Sequence, residues 1–234
     1  MNSTARLLTQ QPQGYQPLSL TEPAESTSQA DRKLFIYSIL LAFYASALTI
    51  AGPHGAKLAQ LGPFTFDAGL LTYSVCFLVT DIVSEVYGKK FSRQIIISSF
   101  FGLLVAFCMT KVALLLPASS DWSSAEGYSF VFGTGNRIFL AVLIAYVASQ
   151  LTDIYVFSLV KKLTNGRHLW LRNNLSTMAG GLLDAILFST IAFYGTYPVI
   201  PIITSAYIIR IALSVVDTPL VYLAVYFLKG KELS

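Results

Sequence analysis

Six long apolar runs separated by short polar joints organise the chain, at about 34–51, 67–88, 92–116, 138–160, 175–195 and 203–228. Each is long enough to cross a hydrocarbon core of ~30 Å as a helix. None alternates polar and apolar positions over ~10 residues, as strands of a membrane barrel do. The pattern predicts an all-α, polytopic membrane protein with six transmembrane helices. Gly and Pro punctuate the joints, in "AGPHG" and "LGPF" after the first run, Pro117 after the third and "YPVIPI" between the fifth and sixth. Residues 1–32 are rich in Gln, Ser, Thr and Pro and are expected to form a disordered polar tail. The expected organisation is therefore a polar tail over 1–32 and one six-helix transmembrane domain over 33–234. The first apolar run begins too late for a typical secretory leader, and none is expected.

Composition agrees with the pattern. The chain is 54% hydrophobic and 12% charged, with a mean hydropathy of +0.62, against about a quarter charged in an ordinary soluble domain. The formal net charge of +4 does not indicate nucleic-acid binding, because the basic residues sit in clusters between apolar runs. Arg32 and Lys33 precede the first run, and Lys89, Lys90 and Arg93 join the second and third. Lys161, Lys162, Arg167 and Arg172 join the fourth and fifth, and Lys229 and Lys231 follow the sixth. The alternate joints hold only Lys57, Lys111 and Arg137. Basic residues concentrate on the cytoplasmic side, so both termini are expected in the cytoplasm, with three helical hairpins reaching outward and back.

Charges inside the runs change the picture more. Asp81, Glu85, Asp153, Asp184, Arg210 and Asp217 all fall within predicted spans, where each costs ~2.5–3.5 kcal/mol at mid-membrane on insertion scales. Asp81 and Glu85 are spaced i, i+4 and share a helix face; Gln150 and Asp153 are i, i+3. Thr177, Gly181 and Asp184 form one stripe, and Arg210, Ser214 and Asp217 another. At ~1.5 Å per residue, Gln150, Asp184 and Asp217 fall near the bilayer centre, with Asp81 and Asp153 roughly 5–6 Å nearer the cytoplasm. Four helices thus offer polar stripes at similar depth, as around a central acid-rich chamber. A plainer arrangement stays open: Arg210 neutralises one acid, the others are protonated or hydrogen-bonded between helices, and Glu85 reaches Lys89 at the membrane edge.

In "WLRNNLSTMAGG", Asn173, Asn174, Ser176 and Thr177 are candidate N-caps of the fifth span; a helix N-terminus also offers N–H groups to a ligand. Gly180 and Gly181 permit a close approach, by another helix before a flat ligand. "TDIVSEVYGKK" at 80–90 and "TDIYVFSLVKK" at 152–162 share Thr, Asp, Ile and two lysines in register. The match is either chance at two helix ends or a trace of related helical hairpins. "FGTGN" at 132–136 lacks the Lys-Ser/Thr of a phosphate loop and reads as a turn. Cys76 and Cys108 lie in apolar runs and read as core residues. His54 and His168 occupy separate loops. No nucleophile elbow, zinc motif or haem attachment motif occurs, so no catalytic residue, metal or cofactor is expected and the chain is not expected to be an enzyme.

Three stretches carry a resemblance. "LTYSVCFLVTDIVSEVYGKKFSRQII", "IAYVASQLTDIYVFSLVKKLT" and "WLRNNLSTMAGGLLDAILFSTIAFYG" resemble, in order, the characteristic stretches of the queuosine precursor transporter family, also called the vitamin uptake transporter family. The likeness runs over about residues 34–230. It implies a six-spanning protein of the bacterial inner membrane that imports 7-deazaguanine bases (7-cyano- or 7-aminomethyl-7-deazaguanine, or queuine) for tRNA queuosine synthesis. One position departs from the family pattern: a Gln or Asn usually stands three residues before the acid of the fifth span, where this chain has Gly181. A different derivative, or Gln150 serving as the amide, would account for it.

The substrate class suits the predicted chamber. A 7-deazaguanine is flat and nearly neutral, and its N1–H and 2-amino edge can donate two hydrogen bonds to one carboxylate. Arg210 could address its O6, as arginine does with guanine. The expected substrate-handling set is Asp81, Glu85, Gln150, Asp153, Asn174, Ser176, Thr177, Asp184, Arg210 and Asp217, with Asp184, Asp217 and Asp153 at its heart. A desolvated carboxylate among them could take up a proton and couple transport to the proton gradient; facilitated diffusion with metabolic trapping is the other option. Competing readings are an importer of another small heterocycle or vitamin, a substrate-binding membrane subunit of an ATPase-driven importer, and a membrane enzyme.

Overall fold

A computed structural model of the chain describes residues 24–55, 57–62, 64–133, 136–195 and 198–229. The elements run α1 (Ala24–Gly55), β1 (Leu58–Leu61), β2 (Phe64–Asp67), α2 (Gly69–Val86), α3 (Lys89–Leu115), α4 (Ala125–Phe132), α5 (Asn136–Leu163), α6 (Leu169–Phe193) and α7 (Val199–Lys229). Six stretches are long and apolar enough to cross a membrane: Ala30–Gly55, Gly69–Val86, Lys89–Leu115, Ala125–Leu163, Leu169–Phe193 and Val199–Leu228. Among the described residues, each of the six apolar runs of the sequence falls largely within a helix of one of these stretches, the fourth run in α5. Even α2, with 18 residues, extends ~27 Å at the usual helical rise.

The chain divides into two units, Met1–Ser38 and Ile39–Ser234. The first contributes the opening turns of α1. Residues 24–32, expected in the tail, are helical here; "AESTSQADR" holds several good helix formers, and extending an existing helix costs far less than nucleating one. The rest of the expected tail, 1–23, lies outside the described residues. The second unit is the helical bundle that carries the polar residues.

Within that unit α6 lies between α5 and α7, and α2 packs on α3, α5 and α7. Burial identifies the central helix: 72% of the most apolar window of α2 is buried, against 17% for each of α1, α3 and α7. The outer helices turn Ile97, Phe101, Val105 and Met109 of α3, and Val215, Val216, Leu220 and Leu223 of α7, outward. Such apolar stripes are costly in water and suited to lipid.

Two features were not foreseen. The residues on either side of the "LGPF" joint pair as a two-stranded antiparallel ribbon, in register from Leu58↔Asp67 to Leu61↔Phe64. Phe66 of the ribbon packs with Leu70 of α2 and Ile209 of α7, and Asp67 Oδ1 accepts the Leu70 N–H at 3.0 Å. The ribbon thereby anchors the start of α2 beside α7. The second is α4, one short helix in the joint before α5.

Candidate functional site

Asp184 on α6 and Arg210 on α7 form a buried ion pair, Nη2 donating to Oδ2 at 2.8 Å. The guanidinium carbon lies 5.2 Å from the ring centre of Tyr73 and 5.1 Å from that of Phe77, both on α2. A guanidinium over aromatic faces is held by cation–π attraction, which strengthens on desolvation. The Arg210 stem reaches this position because residue 181 is glycine: a Cβ there would collide with Arg210 Cδ. That is the physical account of the departure noted in the sequence. The arginine side chain fills the volume an amide would need. Gly180 serves helix packing instead, since a Cβ there would lie 2.8 Å from the Ser149 carbonyl oxygen and 3.1 Å from Phe77.

Asp184 also accepts from Ser149 Oγ at 3.4 Å, and Ser149 Oγ is 3.1 Å from Tyr73 Oη. Gln150 Nε2 donates to Tyr73 Oη at 3.5 Å. From Gln150 the network continues through Thr80 Oγ1, which is 3.4 Å from Gln150 Oε1 and 3.5 Å from Asp153 Oδ2. Asp81 receives Ser176 Oγ at 3.4 Å and Thr177 Oγ1 at 3.5 Å. The Asp81 and Asp153 carboxyl groups come within hydrogen-bonding reach of each other. Four helices thus share one polar centre, and it is closed: Thr80, Asp81, Gln150, Asp153 and Ser176 are all at most 1% exposed. Several contacts sit at the long end of the hydrogen-bond range. Arg210 Nε and Nη1, and Asp153 Oδ1, have no hydrogen-bond partner among the described residues.

Seven of the ten sequence-predicted residues meet in this centre: Asp81, Gln150, Asp153, Ser176, Thr177, Asp184 and Arg210. The others sit elsewhere. Glu85 accepts from Lys161 Nζ at 2.8 Å and from Arg172 Nη2 at 2.5 Å, tying α2 to α5 and α6. Arg172 also donates to the Gly166 carbonyl at 2.8 Å and lies over the Phe157 ring at 5.4 Å. Asn174 donates to Thr218 Oγ1 at 2.8 Å and accepts from Ser214 Oγ at 3.1 Å, a tie between α6 and α7. Asp217 is half-buried on α7, near enough for its charge to act on Asp81.

The expected capping role is corrected. Helix α6 starts at Leu169 behind His168, a turn or more before the predicted caps. Asn174, Ser176 and Thr177 are therefore interior residues whose side chains bond across to α7 or α2, and their own N–H groups belong to the helix ladder.

Tyr73, Phe77, Thr80 and Ser149 escaped the sequence reading. A signal existed for the first three: with Asp81 they recur every three or four residues on one face of α2. Asp67 escaped too, standing at the first position of the 67–88 run, two residues before α2 begins. Burial pushes its carboxyl above the usual carboxylate range, while Arg210 works in the opposite direction. The ribbon therefore carries a further acid to the Arg210 end of the network.

Residues 67–224 match the family model described as "Putative vitamin uptake transporter". The chain belongs to this family. Its relatives include the "Probable queuosine precursor transporter" of Bacillus subtilis (strain 168), 34% identical over 200 residues, or 83% of this chain and 87% of the relative. The protein of the same description from Haemophilus influenzae is 29% identical over 76% of this chain and 77% of its own length. The "Queuosine precursor transporter" of Escherichia coli (strain K12) is 28% identical over 54% of each chain. No solved structure matches. The family consists of transporters, not enzymes, and this member is a multi-pass membrane protein.

Proposed function

We propose that this uptake transporter imports queuosine precursors, 7-cyano- or 7-aminomethyl-7-deazaguanine or queuine, for tRNA queuosine modification. Transport proceeds by alternating access around the acid-rich centre, whose closed state is the one described above. One observation carries the reading. Arg210 is buried and charged, held by Asp184, Tyr73 and Phe77, yet its Nε and Nη1 have no acceptor among the described residues. A buried donor without a partner costs ~1–3 kcal/mol, more when charged, so an acceptor-bearing ligand repays its entry. The O6 of a deazaguanine is such an acceptor, and its N1–H and 2-amino donors suit Asp184 with Gln150 alongside. Asp81, Asp153, Ser176, Thr177 and Asp217 complete the set around the base. Glu85 and Asn174 brace the helices that frame it. The three relatives described as queuosine precursor transporters support the substrate class.

Orientation follows the lysine and arginine bias: an inner-membrane protein with both termini in the cytoplasm, three hairpins, and residues 33–234 as one transporter domain. An impermeant thiol reagent on intact cells should label a Ser119→Cys variant and spare a Gly88→Cys variant; the reverse pattern would overturn this topology. One of the central acids carries a proton and couples uptake to the proton gradient. Uptake indifferent to an uncoupler would remove that part.

The test is queuosine content of tRNA in a bacterial strain that can neither make nor import precursors, fed a 7-deazaguanine base. Expression of the wild type should restore queuosine, and Asp184→Asn should not. Absence of restoration, with the protein confirmed in the membrane, would overturn the substrate assignment. The family description favours a second reading, a vitamin or other small heterocycle, whether imported by this chain alone or with an ATPase partner. Competition by unlabelled compounds and co-purification of a partner would distinguish it.

A further inference from the structure

The centre contains two acidic groups of different character. Asp184 has a cation, Arg210, at 2.8 Å. Asp81 and Asp153 have none. They sit on adjacent helices, at 1% and 0% exposure, with their carboxyl groups in reach of each other. Their surroundings are hydroxyls and an amide: Ser176 and Thr177 on Asp81, and Thr80 between Asp153 and Gln150. The charged groups nearby do not supply a counter-ion. Glu85, one turn along α2, is engaged by Lys161 and Arg172. Asp217, from α7, adds a further negative charge. The buried face of α3 consists of Ser92, Ile95, Ile96 and Ser99, with no charged side chain.

Two carboxylates in contact in a fully buried site cannot both remain ionised, because burial and mutual repulsion each disfavour the second charge. Shared between them, one proton turns the repulsion into an O–H···O⁻ hydrogen bond. The same geometry carries a further sign of such a group: Asp153 Oδ1 is fully buried and has no donor hydrogen-bonded to it among the described residues. Thr80 also donates to the Cys76 carbonyl, and the Ser176 hydroxyl is shared among the Asn173 carbonyl, Asp81 and the Asp153 carboxyl. A proton on the facing carboxyl would supply the donor that Oδ1 lacks. We infer that Asp81 and Asp153 form a proton-binding site, separate from the Arg210–Asp184 pair, which loads and releases the coupling proton as the bundle opens to either side. This rests on the importer reading for what the proton is coupled to, and on the geometry alone for the site itself.

The repeat gives the site a structural origin. The two acids are the matching aspartates of the "TDI" triplets at 80–82 and 152–154, one from each helix. Opening the interface between α2 and α5 would separate them, strand two charges and release the proton to water; closing it would require one back. No covalent bond other than O–H is made or broken.

The experiment has an arm that needs no substrate. Infrared spectra of the full chain in lipid, titrated across neutral pH, should show the carbonyl band of a buried protonated carboxyl. The band should vanish in Asp81→Asn and in Asp153→Asn and persist in Asp217→Asn. Its absence from the wild type, or its survival in both pair variants, overturns the site. So does thermal stabilisation of the wild type by Na⁺ that either pair variant abolishes, which would make the pair a metal-cation site. In the second arm, proteoliposomes take up radiolabelled 7-cyano-7-deazaguanine. The wild type should accumulate it on an imposed pH gradient. Asp153→Asn should lose the gradient-driven accumulation, and whatever uptake it retains should no longer vary with the size of the imposed pH gradient. Gradient-driven accumulation by Asp153→Asn equal to wild type overturns the inference. Failure of the wild type to transport this base while the infrared band behaves as expected fails the substrate reading and leaves the proton site supported.

Discussion

Gly181 determines what the centre can contain. Its hydrogen is all that fits beside the Arg210 stem, so Gly181→Ala should cost ~1–3 kcal/mol of overpacking or displace the guanidinium from Asp184. Uptake should fall at least tenfold while the protein still reaches the membrane; unaltered uptake would show that Arg210 need not lie where it does. The position was legible as an anomaly in the sequence, but its cause was not, because Arg210 is 29 residues downstream. Asp67 offers a pH-dependent test. Burial raises its carboxyl above the ordinary value, so its contribution to stability is complete below the unfolded carboxylate range, about pH 4. The contribution is lost as pH rises through the raised folded value. Asp67→Asn cannot ionise and keeps an oxygen for the Leu70 N–H, so its melting temperature should decline less than that of the wild type between acid and neutral pH. Parallel declines would exclude a raised Asp67.

Elements were legible where hydropathy alone decides them. The six spans followed from run length, because a bilayer imposes that length on any helix that crosses it. The ribbon was not, since four-residue strands such as "LAQL" and "FTFD" are too short to reveal a period and owe their form to packing on α7. The start of α6 was misplaced because Asn173 and Asn174 look like caps, whereas their amides are bound to Thr218 on the neighbouring helix. Glu85 shows the same limit. The local sequence offers Lys89, but its partners lie on α5 and α6, and only the packing of α2 against both brings them there. Its two ion pairs are unequal. Arg172 and Glu85 have side chains 3% and 8% exposed, whereas Lys161 is 37% exposed. Removing one member of a buried pair typically costs ~3–5 kcal/mol, and an exposed member ~0–1 kcal/mol. Arg172→Ala should therefore depress the melting temperature in detergent far more than Lys161→Ala. Equal effects would mean that Glu85 is solvated and the α2–α5–α6 tie is weak.

At the scale of the molecule, hydropathy outside and charge inside divide the labour. Exposed apolar stripes face lipid, and the polar residues that cost most to insert are gathered where four helices meet. Four of the seven candidates that meet there, Asp81, Asp153, Asp184 and Arg210, stood out in the sequence because an ionisable group in a span is expensive and needs company. Which acid would pair with the arginine, and which two would face each other, depended on helix rotation, which the sequence pattern left open. The account makes Arg210 the recognition group of the centre, and its most direct test is equilibrium binding of labelled 7-cyano-7-deazaguanine to the purified protein. Wild type should bind saturably. Arg210→Lys, with an unchanged melting temperature, should bind at least tenfold more weakly, about 1.4 kcal/mol, because an ammonium keeps the charge but loses the fixed fork of donors. A lysine variant that is equally stable and binds the base as tightly as the wild type would contradict the account.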